Sequence, residues 1–273
     1  MLAIVQDSYG SADVLQLREI PTPVVGDREV LVRVRAASVH PDVWHVLTGR
    51  PYVLRIMGAR VRRPRNRVPG TDVAGRVEGV GRRATRFRPG DEVFGECVRG
   101  HQWHNGGAFA EYVAVREREL ARKPARLTFE QAAAVPTSGL LAMQGVRDQG
   151  GVQAGQRVLV NGAGGGVGSF AVQLAKASGA VVTGVDVAEK LDVVRAAGAD
   201  RVIDATHEDF TRTGARYDLI VDVPGNRPIS KCRRALTPSG TYVLIGHDGF
   251  GPRPGRGSEA SAASSASSCA RRS

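Results

Sequence analysis

The N-terminal part of the chain, residues 1–125, carries the two-residue hydrophobic period of half-buried β-strands. In the clearest run, one face of the predicted strand carries Val30, Val32, Val34 and Ala36. Pro89-Gly90-Asp91 predicts a tight turn, because proline fixes φ and glycine accepts a positive φ. The predicted strands fall at residues 29–36, 92–94 and 107–115. Short strands at this spacing are typical of a small β-barrel.

From Thr128 onward the pattern changes to helices that alternate with buried strands. Thr128 and Gln131 form a capping box for a helix that Pro136 ends, and a second helix is predicted from Ser138 to about Gln149. Further strands are predicted near residues 157–161, 181–185, 201–203, 217–222 and 241–245, with helices near 167–178, 188–197 and 228–236. This alternation predicts a parallel sheet with helices on both faces, and therefore an α/β fold.

The last segment, residues 251–273, has no aliphatic side chain larger than alanine. Such a composition cannot bury enough apolar surface to fold, so we expect this tail to be disordered. The patterns together predict a first domain over residues 1–125, a second over residues 126–250, and the tail.

Residues 157–186 carry the strongest chemical signal, in the order strand, glycine loop, amphipathic helix and second strand. Gly162, Gly165 and Gly168 are a variant of the dinucleotide fingerprint, with Ala163 where its first glycine could stand. Glycines let the backbone approach phosphates closely, and a helix N-terminus offers free N–H groups and a positive dipole end. A glycine-rich surface loop without a ligand is the alternative, but the surrounding strand and helix patterns favour a nucleotide site.

Asp186 ends the second strand of this segment, where a carboxylate can accept hydrogen bonds from ribose hydroxyls. A carboxylate there favours NADH and repels the extra phosphate of NADPH. Lys190 follows closely and could partly neutralise that phosphate, so both cofactors stay open, with a preference for NADH. The residues predicted to bind the cofactor are Thr137, Gly162, Gly165, Gly166, Val167, Gly168, Asp186 and Lys190.

Composition narrows the remaining function classes. The net charge of +11 is concentrated in residues 60–67 and 82–88, which lack interleaved aromatic side chains, so solvated loops explain it better than a nucleic-acid surface. No apolar run is long enough to span a membrane, and no secretory signal is visible. Three widely spaced cysteines fit a reduced cytoplasm. We therefore expect a cytoplasmic protein whose partner is a small-molecule substrate, with no nucleic acid or membrane partner.

Residues 1 to about 250 resemble the medium-chain dehydrogenase/reductases, in particular the zinc-independent quinone oxidoreductase and enoyl reductase branch. Four stretches carry the resemblance: AASVHPDVWHVLTGRPYVLR, VPGTDVAGRVEGVG, RFRPGDEVFGE and VLVNGAGGGVGSFAVQLAKASGA. The resemblance implies a Rossmann dinucleotide-binding domain plus a GroES-like β-barrel domain. It also implies that NAD(P)H reduces a substrate in the cleft between them.

The metal-binding positions of zinc-dependent relatives hold other residues here. Those relatives use a cysteine and a Gly-His-Glu histidine, and the corresponding positions look like Val39 or His40 and Thr71-Asp72. The loop histidines His45, His101 and His104 have no chelating cysteine beside them. We therefore expect no metal site. Without a Lewis acid, the suitable hydride acceptors are conjugated ones, such as quinones and α,β-unsaturated carbonyls.

His40 and Tyr52 are the candidate catalytic residues, with Asp42 nearby. The resemblance places Tyr52 where the family often has a polar side chain beside the nicotinamide, and a phenol could donate a proton. The alternatives are a tyrosine that packs through its ring and a histidine that makes a structural hydrogen bond.

The resemblance ends near residue 250, where relatives continue with a sixth strand and a segment that returns to the first domain. Here TYVLIGHDGF runs directly into the tail. We therefore expect strand 241–245 to be an exposed sheet edge and a homodimer through that edge to lack its partner strand. Two functions stay open: a reductase, and a nucleotide-binding protein with impaired catalysis.

Overall fold

The computed structural model describes residues 1–52, 55, 63–97 and 104–246, so the predicted disordered tail lies outside the described residues. The chain divides into two compact units, Met1–Thr137 and a second that begins at Ser138. Within the described ranges, no helix combines the length and the apolar composition needed to cross a bilayer.

The first unit is built from antiparallel strands. They are β1 (Leu2–Gln6), β2 (Leu15–Glu19), β3 (Glu29–Ala37), β4 (Asp72–Val80), β5 (Glu92–Glu96), β6 (Tyr112–Arg116) and β7 (Leu120–Arg122). β1 and β2 form a two-stranded sheet, and the others form a sheet in the order β6-β3-β4-β5-β7. The core is formed by alternate residues of these strands, including Val30, Val32, Val73, Val77 and Val93. The predicted alternation is confirmed for Val30, Val32 and Val34, which pack in this core. It is wrong for Ala36, which packs with Ala74 in a different cluster, because a register shift against β4 falls between Val34 and Ala36.

The strand predicted at residues 107–115 is shorter than expected, because β6 begins only at Tyr112. Gly107 has a φ of 99°, which lies outside the strand region of backbone conformations. The N–H groups of Ala108 and Phe109 bind the carbonyls of Gly70 and Pro69. The backbone before β6 is thus held in a loop.

Two helices of the first unit are α1 (Pro41–Thr48) and α2 (Phe129–Ala133). The predicted capping box is confirmed: the Thr128 hydroxyl accepts from the Gln131 N–H at 3.1 Å, and the Gln131 side chain accepts from the Thr128 N–H at 3.0 Å. The cap directs α2 so that Ala132 and Ala133 pack against Ala74 of β4.

The second unit is a parallel sheet with the strand order β10-β9-β8-β11-β12. Its strands are β8 (Arg157–Asn161), β9 (Val181–Asp186), β10 (Arg201–Asp204), β11 (Tyr217–Asp222) and β12 (Leu236–Leu244). Its helices are α4 (Gly166–Ala177), α5 (Leu191–Ala196) and α6 (Ile229–Arg234), and a further helix, α3 (Pro136–Met143), continues as π-helix over Gln144–Gln149. Short 3-10 helices span Ala12–Val14, Glu117–Glu119, Ala188–Lys190 and Phe210–Arg212.

Two predicted boundaries in this region are wrong. The helix expected to begin at Ser138 begins at Pro136, because proline is accepted in a first turn, where its missing N–H has no intrahelical partner. The last strand begins at Leu236 rather than 241, because a register shift lets Leu236 pair with Tyr217.

Both faces of the parallel sheet are covered, as the alternation predicted. Val158 and Val160 of β8 face one core with Ala171 and Val172 of α4. Leu159 faces the opposite core, which includes Phe210, Cys232 and Tyr242. From β8 the chain adds β9 and β10 on one side of the sheet and then returns to add β11 and β12 on the other side. The strand order therefore reverses between the neighbouring strands β8 and β11. In open α/β sheets, ligands bind at the carboxyl ends of the strands at such a reversal.

Candidate functional site

The glycine loop follows β8 at this reversal. Gly162 has a φ of 79°, and its N–H binds the carbonyl of Val185 at 2.9 Å, so the chain turns sharply beside the end of β9. The Gly165 N–H binds the Gly162 carbonyl at 3.1 Å and closes the turn. Gly165 is then the N-cap of α4. The turn places the helix N-terminus at the end of the buried strand.

The glycines are required by close backbone approach. A Cβ on Gly168 would collide with the carbonyl oxygen of Gly162 and lie 2.7 Å from Ala163 Cα. A Cβ on Gly164 would lie 2.7 Å from Lys190 Cβ, and one on Gly166 would lie 2.9 Å from Ser138 Oγ. At Gly164 and Gly168 the loop therefore packs too tightly for a side chain, and its backbone is bare in the way that pyrophosphate sites require.

The N-terminus of α4 has free donors. No side chain caps it, and its first turn has no acidic residue that would compete for an anion. The unpaired N–H groups and the positive end of the helix dipole favour phosphate there. These features fit a dinucleotide, whose pyrophosphate the loop and the first turn of α4 would hold.

Asp186 lies at the end of β9 and holds the loop. Its Oδ2 accepts from the Gly164 N–H at 2.7 Å, and its Oδ1 accepts from the Val187 N–H at 2.9 Å. Each oxygen has a further lone pair, so the carboxylate can also accept from a ribose hydroxyl. Lys190 is exposed at the end of the 3-10 helix that follows. The ligand-binding roles of these two residues stay predictions.

A buried polar network lies at the ends of β8 and β11, where Asn161 and Asp222 are paired residues. The Asn161 amide donates to Asp222 Oδ1 at 2.8 Å and to Asn226 Oδ1 at 3.1 Å. The Gly225 N–H and the Tyr242 hydroxyl donate to Asp222 at 3.0 and 2.7 Å. Asp222 is fully buried, so these donors compensate its charge and fix the loop after β11.

Two weak acids adjoin this network. Burial, reinforced by the charge of Asp222, raises the pKa of the Cys232 thiol to about 11. Burial also raises the pKa of the Tyr242 phenol, and the charge of Asp222 acts in the same direction. Both groups are therefore neutral at physiological pH, and Cys232 is a poor nucleophile.

A second polar cluster lies in the first unit and contains the predicted catalytic residue His40. His40 Nε2 lies 2.6 Å from Thr71 Oγ1 and 3.9 Å from Asp72 Oδ1, and its side chain is 8% exposed. Its Nδ1 lies 3.8 Å from Asp42 Oδ2. The contact between Nε2 and the Thr71 hydroxyl therefore fixes the orientation of the imidazole ring.

Thr137 joins two carboxyl groups in the same cluster. Its hydroxyl lies 2.6 Å from Asp72 Oδ1 and 2.9 Å from Glu96 Oε1, and its N–H donates to Asp72 Oδ2 at 3.1 Å. Ser38 also contacts Asp72 Oδ2, at 3.2 Å. The predicted contact of Thr137 with a cofactor stays a prediction, since the described contacts of its side chain are with these carboxyl groups.

Burial raises the pKa of Glu96, and the charges of Asp72 and Asp42 act in the same direction. The hydrogen bond from Thr137 and the charge of His40 lower this pKa, but the net shift is upward. Burial likewise raises the pKa of Asp42, although His40 and His45 oppose it. In Glu96 and Asp42, burial thus stabilises the protonated form relative to an ordinary exposed carboxyl group.

Tyr52 lies on the surface with 62% of its area exposed. The guanidinium carbon of Arg55 lies 4.8 Å from its ring centroid and that of Arg50 lies 5.9 Å away. The Arg55 side chain donates to the carbonyls of Gly49 and Thr48, which holds it against the ring. Tyr52 is therefore an exposed residue whose ring is held by cation–π contacts.

Sequence reasoning missed Glu96 and the network around Asp222. Asp72 begins β4 and Glu96 ends β5, so pairing these strands around the predicted turn at residues 89–91 would have placed the two carboxyl groups opposite each other. Asp222 ends a strand whose other core residues are apolar, and a charged residue there is a signal by itself.

The side chains that the structure describes around His40 do not form a donor set that fits a zinc ion. Across the residues the structure describes, no three His, Cys, Asp or Glu side chains are grouped so that they could hold a metal. Cys97 and Cys232 are buried in different units. At the positions that resemble the zinc-ligand positions of relatives, His40, Thr71 and Asp72 contact one another, whereas Val39 is exposed.

An antiparallel first unit followed by a parallel sheet with a glycine-rich nucleotide loop defines a two-domain dinucleotide-dependent dehydrogenase architecture. Residues 26–125 match the family model of the alcohol dehydrogenase GroES-like domain, and residues 166–262 match that of the zinc-binding dehydrogenases. The chain belongs to the medium-chain dehydrogenase/reductases, in the branch similar to quinone and enoyl reductases.

Individual relatives agree with this assignment. The chloroplast envelope quinone oxidoreductase homolog of Arabidopsis thaliana is 32% identical over 90% of this chain and 74% of its own length. The NADPH-dependent alkenal/one oxidoreductase of the same plant is 36% identical over 82% of this chain, which spans 58% of that relative. The structure of the quinone oxidoreductase from Coxiella burnetii matches with a TM-score of 0.74 and 29% identity, over 86% of this chain and 79% of that one.

Proposed function

We propose that this protein is an NAD(P)H-dependent oxidoreductase that reduces a quinone or an α,β-unsaturated carbonyl compound without zinc. The bare glycine loop, closed by Asp186 at the N-terminus of α4, carries the proposal, since it has the backbone donors that a dinucleotide pyrophosphate needs. The names of the relatives supply the acceptor class. In such acceptors conjugation activates the carbon that takes the hydride, so no Lewis acid is required.

The bound cofactor would supply a hydride. The chain's own residues would bind the cofactor, orient the substrate and protonate it. Gly166, Val167 and Gly168 would offer the pyrophosphate the backbone N–H groups of the first helical turn. Gly162 and Gly165 would shape the turn that leads to them, since their own N–H groups bind the carbonyls of Val185 and Gly162. Asp186 would accept from the ribose hydroxyls. This favours NADH, although the Arabidopsis relative named above as NADPH-dependent and the neighbouring Lys190 support NADPH.

His40 and Tyr52 are the proposed proton donors. His40 is held from Nε2 by Thr71, which leaves Nδ1 as the nitrogen available to a substrate oxygen or carbon. Tyr52 presents an exposed phenol beside two arginines. A Tyr52→Phe variant with unchanged turnover at saturating substrate would leave His40 as the donor.

The test is a set of two measurements on the purified full chain. Fluorescence titration with NADH and NADPH measures binding, and absorbance measures cofactor oxidation with a simple quinone and with an enone. Binding followed by acceptor-dependent oxidation supports the proposal. Binding without oxidation, with every acceptor tried, would make the chain a nucleotide-binding protein instead, and an absence of binding by folded protein would overturn both readings.

A further inference from the structure

Asp72 and Glu96 are cross-strand partners in β4 and β5. Like charges in directly opposed positions of an antiparallel pair repel each other. Both carboxyl groups nevertheless contact the same atom, Thr137 Oγ1, at 2.6 and 2.9 Å. The pair is therefore bridged by one hydroxyl.

A hydroxyl has one proton and can donate it in one direction. The two contacts of Thr137 Oγ1 are both good hydrogen bonds only if one carboxyl group is itself protonated and donates to the hydroxyl. Asp72 already accepts from the Thr137 N–H and from Ser38, the pattern of an ionised carboxylate. The proton therefore resides on Glu96, which agrees with the effect of burial on the pKa of this residue.

The chain of contacts continues from Asp72 to His40. Asp72 Oδ1 meets the Thr137 hydroxyl and, at 3.4 Å, the Thr71 hydroxyl. Thr71 Oγ1 then lies 2.6 Å from His40 Nε2. Glu96 is partly exposed and can exchange protons with water, whereas Asp72 is only 1% exposed. This row of contacts therefore links a solvent-accessible carboxyl group to the shielded His40.

We propose that Glu96, Thr137, Asp72 and Thr71 form a proton relay that resupplies His40 during reduction. This inference rests on the proposed function, in which the hydride of the reduced nicotinamide brings both electrons to the acceptor. His40 gives a proton from Nδ1 to the reduced substrate and takes one at Nε2 from Thr71. Glu96 gives its proton to the Thr137 hydroxyl as this hydroxyl gives its own proton to the ionised Asp72. Asp72 passes that proton to Thr71 Oγ1 as Thr71 gives its own to His40 Nε2, which leaves Asp72 ionised again, and solvent water then returns a proton to Glu96. One hydride and one proton are consumed in each turnover.

The relay makes turnover depend on pH. The groups that face it from the adjacent helix α1 are Asp42, 3.8 Å from His40 Nδ1, and His45, which acts on Asp42. Glu96 and Asp72 supply the remaining acidic groups. We expect kcat to fall as pH rises, because Glu96 then loses its proton. In Glu96→Gln this decrease of kcat with pH should be absent.

The test compares Glu96→Gln, Thr137→Val and the double variant with wild-type protein, using saturating NADH and quinone. Gln keeps a donor towards Thr137 but cannot pass a proton on, and Val keeps the shape and the N–H contact of Thr137. Each single variant is expected to lower kcat about tenfold or more, and Glu96→Gln is expected to do so with an unchanged Kd for NADH. The kcat of the double variant should be no lower than that of the slower single variant, because both substitutions interrupt the same relay. Thr137→Ser should recover most of the loss.

Matched controls are Glu92→Gln, on the same strand, and Thr183→Val, another buried threonine. Neither belongs to the relay, and both should keep wild-type kcat. A second readout needs no cofactor: infrared spectra at neutral pH should contain a protonated carboxyl band that Glu96→Gln removes and Glu92→Gln retains.

The outcomes separate the relay from the function it serves. Wild-type turnover that persists undiminished in Glu96→Gln and Thr137→Val would overturn the relay alone. Absence of the infrared band in wild type would overturn it regardless of activity, as would additive losses in the double variant or a Thr137→Ser variant as slow as Thr137→Val. Wild-type protein that binds NADH but oxidises it with no acceptor would overturn the proposed function, and the relay with it.

Discussion

The Asp186 carboxylate accepts a hydrogen bond from the Gly164 N–H at 2.7 Å, so the end of β9 holds the loop that follows β8. The residue predicted to select the cofactor is therefore also one that shapes its phosphate site. Charge and loop support are two separable properties of one side chain, since an amide oxygen can accept the same hydrogen bond without the charge.

Asp186→Asn should separate these properties. The amide oxygen keeps the Gly164 contact, the amide nitrogen loses the contact with the Val187 N–H, and the charge that repels the extra phosphate of NADPH is removed. We expect the ratio of the NADPH Kd to the NADH Kd to fall by about tenfold, or about 1.4 kcal/mol. Asp186→Ala should additionally weaken binding of both cofactors. Fluorescence titration with each nucleotide measures these changes, and an unchanged ratio in Asp186→Asn would assign cofactor choice elsewhere.

Gly168→Ala should disrupt the nucleotide site. Its Cβ would collide with the Gly162 carbonyl and lie 2.7 Å from Ala163 Cα, so helix α4 must move away from the loop. We expect a destabilisation of about 1–3 kcal/mol and loss of nucleotide binding. The control is Gly79→Ala, whose Cβ has its nearest neighbour at 3.9 Å. Denaturant unfolding and titration measure the two effects, and normal binding by Gly168→Ala would contradict the tight packing.

Alkaline pH should destabilise the second unit through Cys232. The pKa of this thiol is about 11 in the folded protein against an ordinary value of 9.0. Because the unfolded chain loses this proton first, the stability contribution is complete below about pH 9 and is lost as pH rises towards 11. The raised pKa of Tyr242 acts in the same direction. From pH 8 upward, the free energy of unfolding should fall less steeply with pH in Cys232→Ala than in the wild type. An identical pH dependence in the two proteins would exclude the thiol as the source of the alkaline destabilisation.

Thr128→Ala should destabilise the first unit by about 1 kcal/mol. The change removes the hydroxyl that accepts from the Gln131 N–H and leaves the start of α2 uncapped. Thr128→Ser retains the acceptor and is the control. Urea unfolding should resolve the difference, and equal midpoints for the Ala and Ser variants would show that the capping box contributes no stability.

Much of the fold was predictable because the signals are local. The alternation from Val30 to Val34 and the capping box at Thr128 each depend on side chains within a few positions, and both are present as expected. The glycine spacing likewise placed the loop and α4 to within one residue of the predicted helix start at Val167. Local steric and hydrogen-bonding preferences suffice for such elements.

The parts that sequence reasoning missed depend on pairing between distant residues. Glu96 becomes informative only when β5 is placed in register with β4, and Thr137 only when the helix that follows brings its hydroxyl to both carboxyl groups. Gly107 broke a predicted strand through a backbone conformation that no neighbouring residue indicates. Register and long-range contact, rather than propensity, decide these features.

The adjacency of β8 and β11 has a consequence for the newly made chain. Asn161 and Asp222 are neighbours in the sheet although they are 61 positions apart in the chain. On the ribosome, the strand that precedes the glycine loop emerges well before the strand that completes its far side, and only a non-local pairing brings them together. A nascent chain that ends before Asp222 should therefore not retain immobilised nucleotide, and capture should begin once the later strand has left the exit tunnel.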